Sequence, residues 1–169
     1  MSNKHHSEVI EMLAAIYKPQ IYIELGLYKG ETWYKAIPHC GQAFGVDIVD
    51  RNINGEIFVG TTDDFFEQYQ KKADMIFIDA DHRIESVLKD FENSLNILRP
   101  GGCIILHDTD PESNHLFGSG WCGDSYKIVD ILEERSDLNC ITIPCTEAGL
   151  SIVTRKKDTR TYRRNSVPQ

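Results

Sequence analysis

The sequence lacks the features that mark membrane and secreted proteins. Among its 169 residues, no apolar run approaches the roughly 18 residues that cross a bilayer. The first six residues do not form the apolar core of a secretory signal peptide. The five cysteines are scattered and contain no C-x-x-C pair, so we expect reduced thiols. These absences predict a cytoplasmic protein without a membrane partner.

Basic residues are scarce in most of the chain. The first 154 residues carry 12 basic and 25 acidic side chains, whereas residues 155–164 carry six basic side chains and one acidic side chain. The acidic body is a poor candidate for binding a phosphate backbone, which argues against a nucleic-acid partner. The basic segment would touch an anionic surface or remain a solvated, flexible terminus, and we expect the latter. We therefore predict one domain over residues 1–155 and a basic tail over residues 156–169.

A dinucleotide-binding G-x-G-x-x-G pattern is also absent, but a different glycine turn is present. Residues 21–25 resemble a short buried strand, and Glu24, Gly26 and Gly30 connect it to a helix that begins at Glu31. Glycine permits positive φ and a close approach of a ligand to the backbone, and the helix start offers free N–H groups. This segment is typical of the first half of a mononucleotide-binding unit. The alternative is an ordinary strand–turn–helix corner with a solvated Glu24.

Strands and helices alternate along the rest of the chain. The apolar patterns predict a first helix capped by Ser7 and later helices near residues 31–36, 63–72, 84–98 and 125–134. They predict seven strands, near residues 21–25, 42–47, 56–60, 74–79, 103–106, 138–143 and 149–154. This order favours an α/β fold with a doubly wound, mostly parallel sheet and an antiparallel last strand.

Polar residues lie at the end of each of the first five predicted strands. They are Glu24; Asp47; Thr61 and Thr62; Asp79, Asp81 and His82; and His107 and Asp108. In an open parallel sheet, ligands bind at the carboxyl ends of the strands, so these residues should border one site. Asp47 lies 21 residues after Gly26, a spacing at which an acid holds the diol of a ribose.

These motifs together resemble the class I S-adenosylmethionine (SAM)-dependent methyltransferases over nearly the whole chain. The resemblance rests on E-x-G-x-x-x-G at 24–30, Asp47, Thr61 to Asp63, and Pro100-Gly101-Gly102 before the fifth strand. It implies a Rossmann-like fold and SAM as the cofactor. The cofactor-binding residues implied by position are Glu24, Gly26, Gly30, Asp47, Thr61, Thr62, Asp63 and Asp79. Glu24 would face the ammonium group and Asp47 the ribose.

A narrower resemblance concerns Asp79-Ala80-Asp81-His82 and His107-Asp108-Thr109, which are similar to motifs of metal-dependent O-methyltransferases acting on catechols, caffeoyl-CoA and sugars. Carried over by position, Asp79, His107 and Asp108 would bind a divalent metal ion such as Mg²⁺ or Mn²⁺. Asp79 and His82 would be the catalytic residues. His82 stands where catechol-type enzymes have a lysine base, and a histidine accepts a proton readily at neutral pH.

Two departures from these relatives affect the expectations. At the fifth strand the relatives usually carry a second carboxylate or a carboxylate–amide pair, whereas this chain has His107-Asp108. An imidazole ligand would shift the preference from Mg²⁺ toward Mn, Fe, Ni or Zn; the alternative is that His107 is no ligand. The chain also lacks the N-terminal helical extension and the insert between the last strands that usually close the pocket. The loop at 110–123, with His115 and Trp121, or a partner subunit in a homodimer would supply the lid. We expect His5 and His6 to be a flexible terminus.

Three functions follow from the sequence. The first is metal-assisted methyl transfer to a hydroxyl of a sugar or another polar small molecule. The second is metal-independent methyl transfer with His82 as base, to nitrogen or to a macromolecule. The third is a nucleotide-binding module without catalysis, against which the intact row of acids argues.

Overall fold

The structure is a computed structural model that describes residues 5–118, 120–144 and 148–157. In these ranges the helices are α1 (His6–Tyr17), α2 (Glu31–Ala36), α3 (Thr62–Gln68), α4 (Ile84–Ile97) and α5 (Ile128–Glu133). The strands are β1 (Ile21–Leu25), β2 (Gln42–Asp47), β3 (Glu56–Val59), β4 (Ala73–Ile78), β5 (Leu98–His107), β6 (Leu138–Ile143) and β7 (Leu150–Arg155). Short 3-10 turns lie at Ile37–His39, Asn114–Phe117 and Ser125–Lys127.

The strands form one sheet of seven in the order β3-β2-β1-β4-β5-β7-β6. The first five strands pair in parallel, whereas β7 is antiparallel to both β5 and β6. The predicted doubly wound α/β sheet with an antiparallel last strand is therefore confirmed. The order reverses between β1 and β4, and such a crevice is where open parallel sheets bind ligands.

Each face of the sheet has its own apolar layer. Ile21, Ile23 and Leu25 of β1 point into a core that includes Phe65 and Phe91, from α3 and α4. Tyr22, between them, packs on the opposite face in a core that includes Trp33 of α2 and Ile10 of α1. Successive strand residues point to opposite faces, so this alternation also decides where the polar residues at the strand ends point.

Some boundaries differ from the sequence prediction. His5, rather than Ser7, caps α1, because the His5 side chain accepts the backbone N–H of Ser7. The predicted helix at 63–72 is shorter, since α3 ends at Gln68. The fifth strand begins at Leu98, earlier than predicted, with a register shift opposite Ala73 and Met75. Most of the predicted basic tail lies outside the described residues.

In the described part of the chain, no helix combines the length and the apolar character that a membrane span needs.

Candidate active site

The neighbouring strands β4 and β5 end with polar side chains on the same face of the sheet. The register pairs Ile78 with Leu106, so Asp79 and His107 follow as the next pair along β4 and β5. Alternation places both residues on the face that carries Met75, Phe77 and Ile105, which is the face covered by α1 and α2. Helix α1 therefore lies over Asp79 and His107.

His107 forms the centre of the charged cluster. Its Nδ1 lies 3.2 Å from Asp79 Oδ1 and 3.2 Å from Asp108 Oδ1. Burial alone would lower the pKa of His107, but the two carboxylates outweigh it and raise the pKa. Burial alone would likewise raise the pKa of Asp79, but His107 outweighs it and lowers the pKa. The two groups thus stabilise each other's charged form.

Asp108 has an unusual backbone conformation, with φ of 60°. Non-glycine residues rarely adopt this left-handed region, and such residues often occur at functional sites. Cys122 Sγ lies 3.3 Å from Asp108 Oδ1 and donates to it, and Ser125 Oγ donates to the Asp108 carbonyl at 3.0 Å. These contacts connect the end of β5 to the loop that precedes α5, and they hold the Asp108 carboxylate beside His82.

His82 is held by two acceptors on one side of its ring. Its Nδ1 lies 3.2 Å from Asp108 Oδ2 and hydrogen-bonds the Trp121 carbonyl. A carbonyl only accepts, so Nδ1 carries a hydrogen. His82 Nε2 is 3.7 Å from Asp79 Oδ1, which is too long for a hydrogen bond. In the neutral tautomer, Nε2 is therefore an available proton acceptor, and about a third of the side chain is exposed.

Two groups of three described side chains have possible metal-ligand atoms that all lie within 4.8 Å of one another. One group is His6, Asp79 and His107, and the other is Asp79, His82 and Asp108. The structure thus brings the predicted ligands Asp79, His107 and Asp108 together around Asp79. It divides them between two overlapping groups.

The expectation that His5 and His6 form a flexible terminus is wrong. His6 is the first residue of α1, and its ring lies over His107 with centroids 4.0 Å apart. Burial, followed by the nearby His107, lowers the pKa of His6 to about 3, so its imidazole is neutral. The sequence offered one signal: His6 precedes Val9 and Ile10 by three and four residues, which places it on the buried face of the helix.

Glu24 is more deeply buried than the sequence indicated, with 1% of its surface exposed. Tyr22 lies two residues earlier on the same face of β1, and its hydroxyl donates to Glu24 Oε2 at 2.6 Å. Burial raises the pKa of Glu24 to about 8, although the Tyr22 hydrogen bond acts in the opposite direction. Glu24 is therefore mostly protonated at neutral pH, and the idea of a solvated Glu24 is wrong.

Asp47 already accepts several hydrogen bonds. Leu27 N and Tyr28 N donate to Oδ2 at 3.1 and 3.2 Å, and Val49 N donates to Oδ1 at 2.9 Å. Arg51 Nε lies 3.2 Å from both carboxylate oxygens. Burial alone would raise the pKa of Asp47, but these hydrogen bonds lower it. Asp47 is thus an ionised residue that holds the glycine turn in place.

The two glycines of the turn serve different purposes. Gly26 has φ of 86°, and a Cβ there would lie 2.0 Å from the Asp79 carbonyl oxygen. A glycine is therefore needed because β1 and β4 approach closely, not because a ligand occupies that space. Gly30 has φ of 74° and precedes the first residue of α2. Its missing side chain leaves room for Ile53.

Three of the predicted cofactor-binding residues, Thr61, Thr62 and Asp63, lie at the start of α3. Thr61 Oγ1 caps this helix by accepting the N–H of Asp64 at 3.1 Å. Asp63 forms an exposed ion pair with Lys89 of α4 at 2.6 Å. The Thr62 side chain hydrogen-bonds Asp90, a buried carboxyl group whose pKa burial raises to about 6. All three residues are thus engaged locally, at the edge where β3 ends.

Comparison with known families decides the class of the protein. A family model described as a methyltransferase domain matches residues 23–109, slightly more than half of the chain. The chain belongs to this methyltransferase family. The matched segment of this methyltransferase begins in β1 and ends just after Asp108, so it contains all the predicted site residues. The class predicted from the sequence is confirmed.

Solved structures of several methyltransferases share this fold. An O-methyltransferase from Bacillus cereus in complex with SAH has a TM-score of 0.71 and 16% identity, covering 92% of this chain and 84% of that chain. An O-methyltransferase from Streptomyces achromogenes involved in tomaymycin synthesis, in complex with SAM, has a TM-score of 0.67 and 17% identity, covering 90% and 80%. An SAH-bound methyltransferase from Podospora anserina has a TM-score of 0.72 and 16% identity, covering 93% and 80%. No curated protein matches the sequence.

Proposed function

We propose that this methyltransferase transfers the methyl group of SAM to a hydroxyl of a sugar or another polar small molecule, with assistance from a divalent metal ion. The observation that carries the proposal is the cluster of Asp79, His82, His107 and Asp108 at the ends of β4 and β5. This cluster brings the proton acceptor His82 close to carboxylates that could bind a metal ion. It lies at the edge where sheets of this topology bind small molecules. The structural relatives named as O-methyltransferases support a hydroxyl as the acceptor group.

The cofactor would lie along the turn after β1. SAM supplies an electrophilic methyl group on a sulfonium. In this proposal the turn from Gly26 to Gly30 borders its carboxylate, Glu24 faces its ammonium group, and Asp47 binds its ribose. Thr61, Thr62 and Asp63 border the adenine. Relatives bound to SAM or SAH support the choice of cofactor.

The side chains at the ends of β4 and β5 fit a metal ion. Asp79, His107 and Asp108 offer two carboxylates and an imidazole, and His107 Nε2 is a buried nitrogen without a hydrogen-bond partner among the described residues. A divalent ion bound there would lower the pKa of the acceptor hydroxyl and orient it. Asp79 belongs to both possible ligand groups, so we assign it the central role.

His82 is proposed as the base that removes the hydroxyl proton. Asp108 and the Trp121 carbonyl hold its Nδ1, which orients the ring and leaves Nε2 free. A carboxylate behind the imidazole also stabilises the positive charge that forms when Nε2 accepts a proton. This arrangement separately favours a second candidate function, in which His82 acts as base without any metal.

The acidic body of the protein supports a small acceptor. A surface with an excess of carboxylates repels nucleic acid and other polyanions. Trp121 is 58% exposed and adjoins the Cys122–Asp108 contact, so its ring is available to cover a bound acceptor.

Calorimetric titration with S-adenosylhomocysteine, with and without Mn²⁺, tests the cofactor first. We expect binding. If S-adenosylhomocysteine bound under neither condition, the choice of SAM as cofactor would be contradicted. Transfer of labelled methyl from SAM to a panel of sugars and catechols then tests the reaction. We expect activity that EDTA removes and Mn²⁺ restores, and that His82→Asn lowers strongly. Full activity in metal-free protein would favour the second candidate.

A further inference from the structure

The first turn of α1 places a second imidazole beside Asp79 and His107. Ligand atoms of His6, Asp79 and His107 all lie within 4.8 Å of one another. The His6 ring is also 6.2 Å from the ring of Phe77, which lies on the same face of β4 as Asp79. His6 is thus enclosed between the helix and the sheet, facing the charged cluster.

Contacts beside His6 fix the start of α1. Ser7 is fully buried, and its Oγ donates to Glu31 Oε1 at 3.2 Å and accepts from Lys35 Nζ at 2.8 Å. His5 Nδ1 accepts the Ser7 N–H and so caps the helix. These contacts hold the first turn of α1 against α2, and they therefore fix the position of His6 over His107. A side chain held in this way is preorganised for a ligand role.

One ring nitrogen of His107 has a hydrogen-bond partner and the other has none among the described residues. Its Nδ1 faces Asp79 and Asp108, whereas its Nε2 is buried and has no partner in the part of the chain that the structure describes. A buried nitrogen without a partner is costly, and a metal ion is one partner that would satisfy it. Carboxylates commonly orient a metal-binding histidine through its other nitrogen.

We propose that His6, Asp79 and His107 bind one divalent transition-metal ion, so that the first helix supplies a ligand to the active site. The assignment rests on the metal-assisted function proposed above, but it places His6 rather than Asp108 beside Asp79 and His107 as the third ligand. Two imidazoles and one carboxylate form a donor set that leaves coordination positions open for a substrate oxygen. Asp108 lies beside His107 and His82 lies near Asp79, but neither is a ligand in this assignment.

This donor set predicts which metal ions bind. Mg²⁺ prefers oxygen ligands and near-ideal octahedral geometry, so two imidazoles serve it poorly. Fe²⁺, Co²⁺, Ni²⁺ and Zn²⁺ accept imidazole readily. With His6 as a ligand, the protein should bind cobalt and zinc in preference to magnesium. With an ion held by carboxylates alone, this preference should be weaker.

The test uses the full chain and measures metal binding directly. Cobalt(II) is titrated into metal-free protein and followed by visible absorption and calorimetry, with Mg²⁺ titrated in parallel. His6→Phe keeps an aromatic ring against His107 but removes both nitrogens, and His115→Phe is a matched control at an exposed histidine. Circular dichroism and S-adenosylhomocysteine affinity establish that each variant is folded.

We expect His6→Phe to weaken cobalt binding by at least roughly 100-fold, since even the outer partners of metal ligands contribute about 10–100-fold. Its Mg²⁺ affinity and cofactor affinity should stay close to those of the parent, and His115→Phe should bind cobalt normally. Equal cobalt affinity in the parent and in His6→Phe would overturn the inference and leave the proposed function standing. If the parent protein bound no cobalt, both the inference and the metal assistance in the proposed function would be overturned. The measurement of S-adenosylhomocysteine affinity would then still test the SAM-dependent part of the proposed function.

Discussion

Asp79 Oδ1 lies 3.2 Å from His107 Nδ1, so one ion pair joins the ends of the two central strands β4 and β5. This contact follows from the sheet itself. The two residues follow paired positions in neighbouring parallel strands, and alternation directs both side chains toward α1. A pair defined by strand register keeps its geometry when surface loops change, which suits a site that must hold a metal ion or a reacting group in place.

Asp79→Ala should abolish metal binding while the fold survives. Asp79 belongs to both groups of possible ligands, so its loss leaves neither group complete. The measurement is the metal content of purified protein after dialysis against Mn²⁺ or Zn²⁺, with circular dichroism as a check of folding. Asp81→Ala is a control from the same segment, because Asp81 pairs with Arg83 and belongs to neither group. A folded Asp79→Ala protein that keeps one equivalent of metal would refute the role of Asp79.

Asp47→Asn should weaken S-adenosylhomocysteine binding by roughly 1–3 kcal/mol through lost charge-assisted hydrogen bonds. The carboxylate also holds Leu27 and Tyr28 of the glycine turn, so affinity alone does not separate the two roles. The measurement therefore includes a cofactor analogue without the two ribose hydroxyls. The parent should discriminate strongly against this analogue, and the variant only weakly. The same discrimination in both proteins would show that Asp47 acts on the turn alone.

Gly26→Ala should destabilise the protein by roughly 3 kcal/mol or more, because a methyl group would overlap the Asp79 carbonyl in addition to the cost of positive φ. Gly101→Ala is a matched control. Gly101 has φ of 84°, but the nearest atom to its added Cβ is Lys157 Nζ at 3.8 Å. Gly101→Ala should therefore lower the free energy of unfolding by only about 1–2 kcal/mol, the cost of positive φ. The free energies of unfolding come from urea titrations, and equal losses in the two variants would contradict the close contact between β1 and β4.

The number of strands and their positions along the chain could be predicted because each apolar segment is bounded by glycine, proline or polar residues. The grouping of Asp79, His107 and Asp108 could also be predicted, since parallel strands end at one edge. The position of His6 over His107 could not be predicted, because it depends on how α1 crosses the sheet. The sequence nevertheless contained part of that information, as His6 shares a helix face with Val9 and Ile10.

Glu24 shows a second limit of reasoning from the sequence. Its position near the end of β1 indicated a carboxylate available to a ligand, but the side chain shares a face with Tyr22 and is buried. Two residues of one strand that are two positions apart lie on the same face, so the contact between Tyr22 and Glu24 could have been predicted from the sequence. How deeply Glu24 is buried could not be predicted, because it depends on Trp33 and α1 covering that face.

The raised pKa of Glu24 makes stability depend on pH in a direction unusual for a carboxyl group. Its pKa is about 8 in the folded protein, against an ordinary value of 4.5. Between these values the folded state binds more protons than the unfolded state, so stability falls as pH rises from about 4.5 to 8, by up to about 1.4 kcal/mol per pH unit. Glu24→Gln should reduce this slope in urea titrations at several pH values. An unchanged slope would contradict the raised pKa.

The same protonation predicts a signature of cofactor binding. If Glu24 faces the ammonium group of the cofactor, binding at pH 7 should ionise it and release close to one proton, because the positive charge favours the carboxylate. Calorimetric titration of S-adenosylhomocysteine in phosphate and in Tris, which differ in ionisation enthalpy, measures this release. In Glu24→Gln the release should vanish. Binding enthalpies that agree between the two buffers in the parent protein would instead leave Glu24 neutral in the complex, as an internal partner of Tyr22 that makes no contact with the ammonium group.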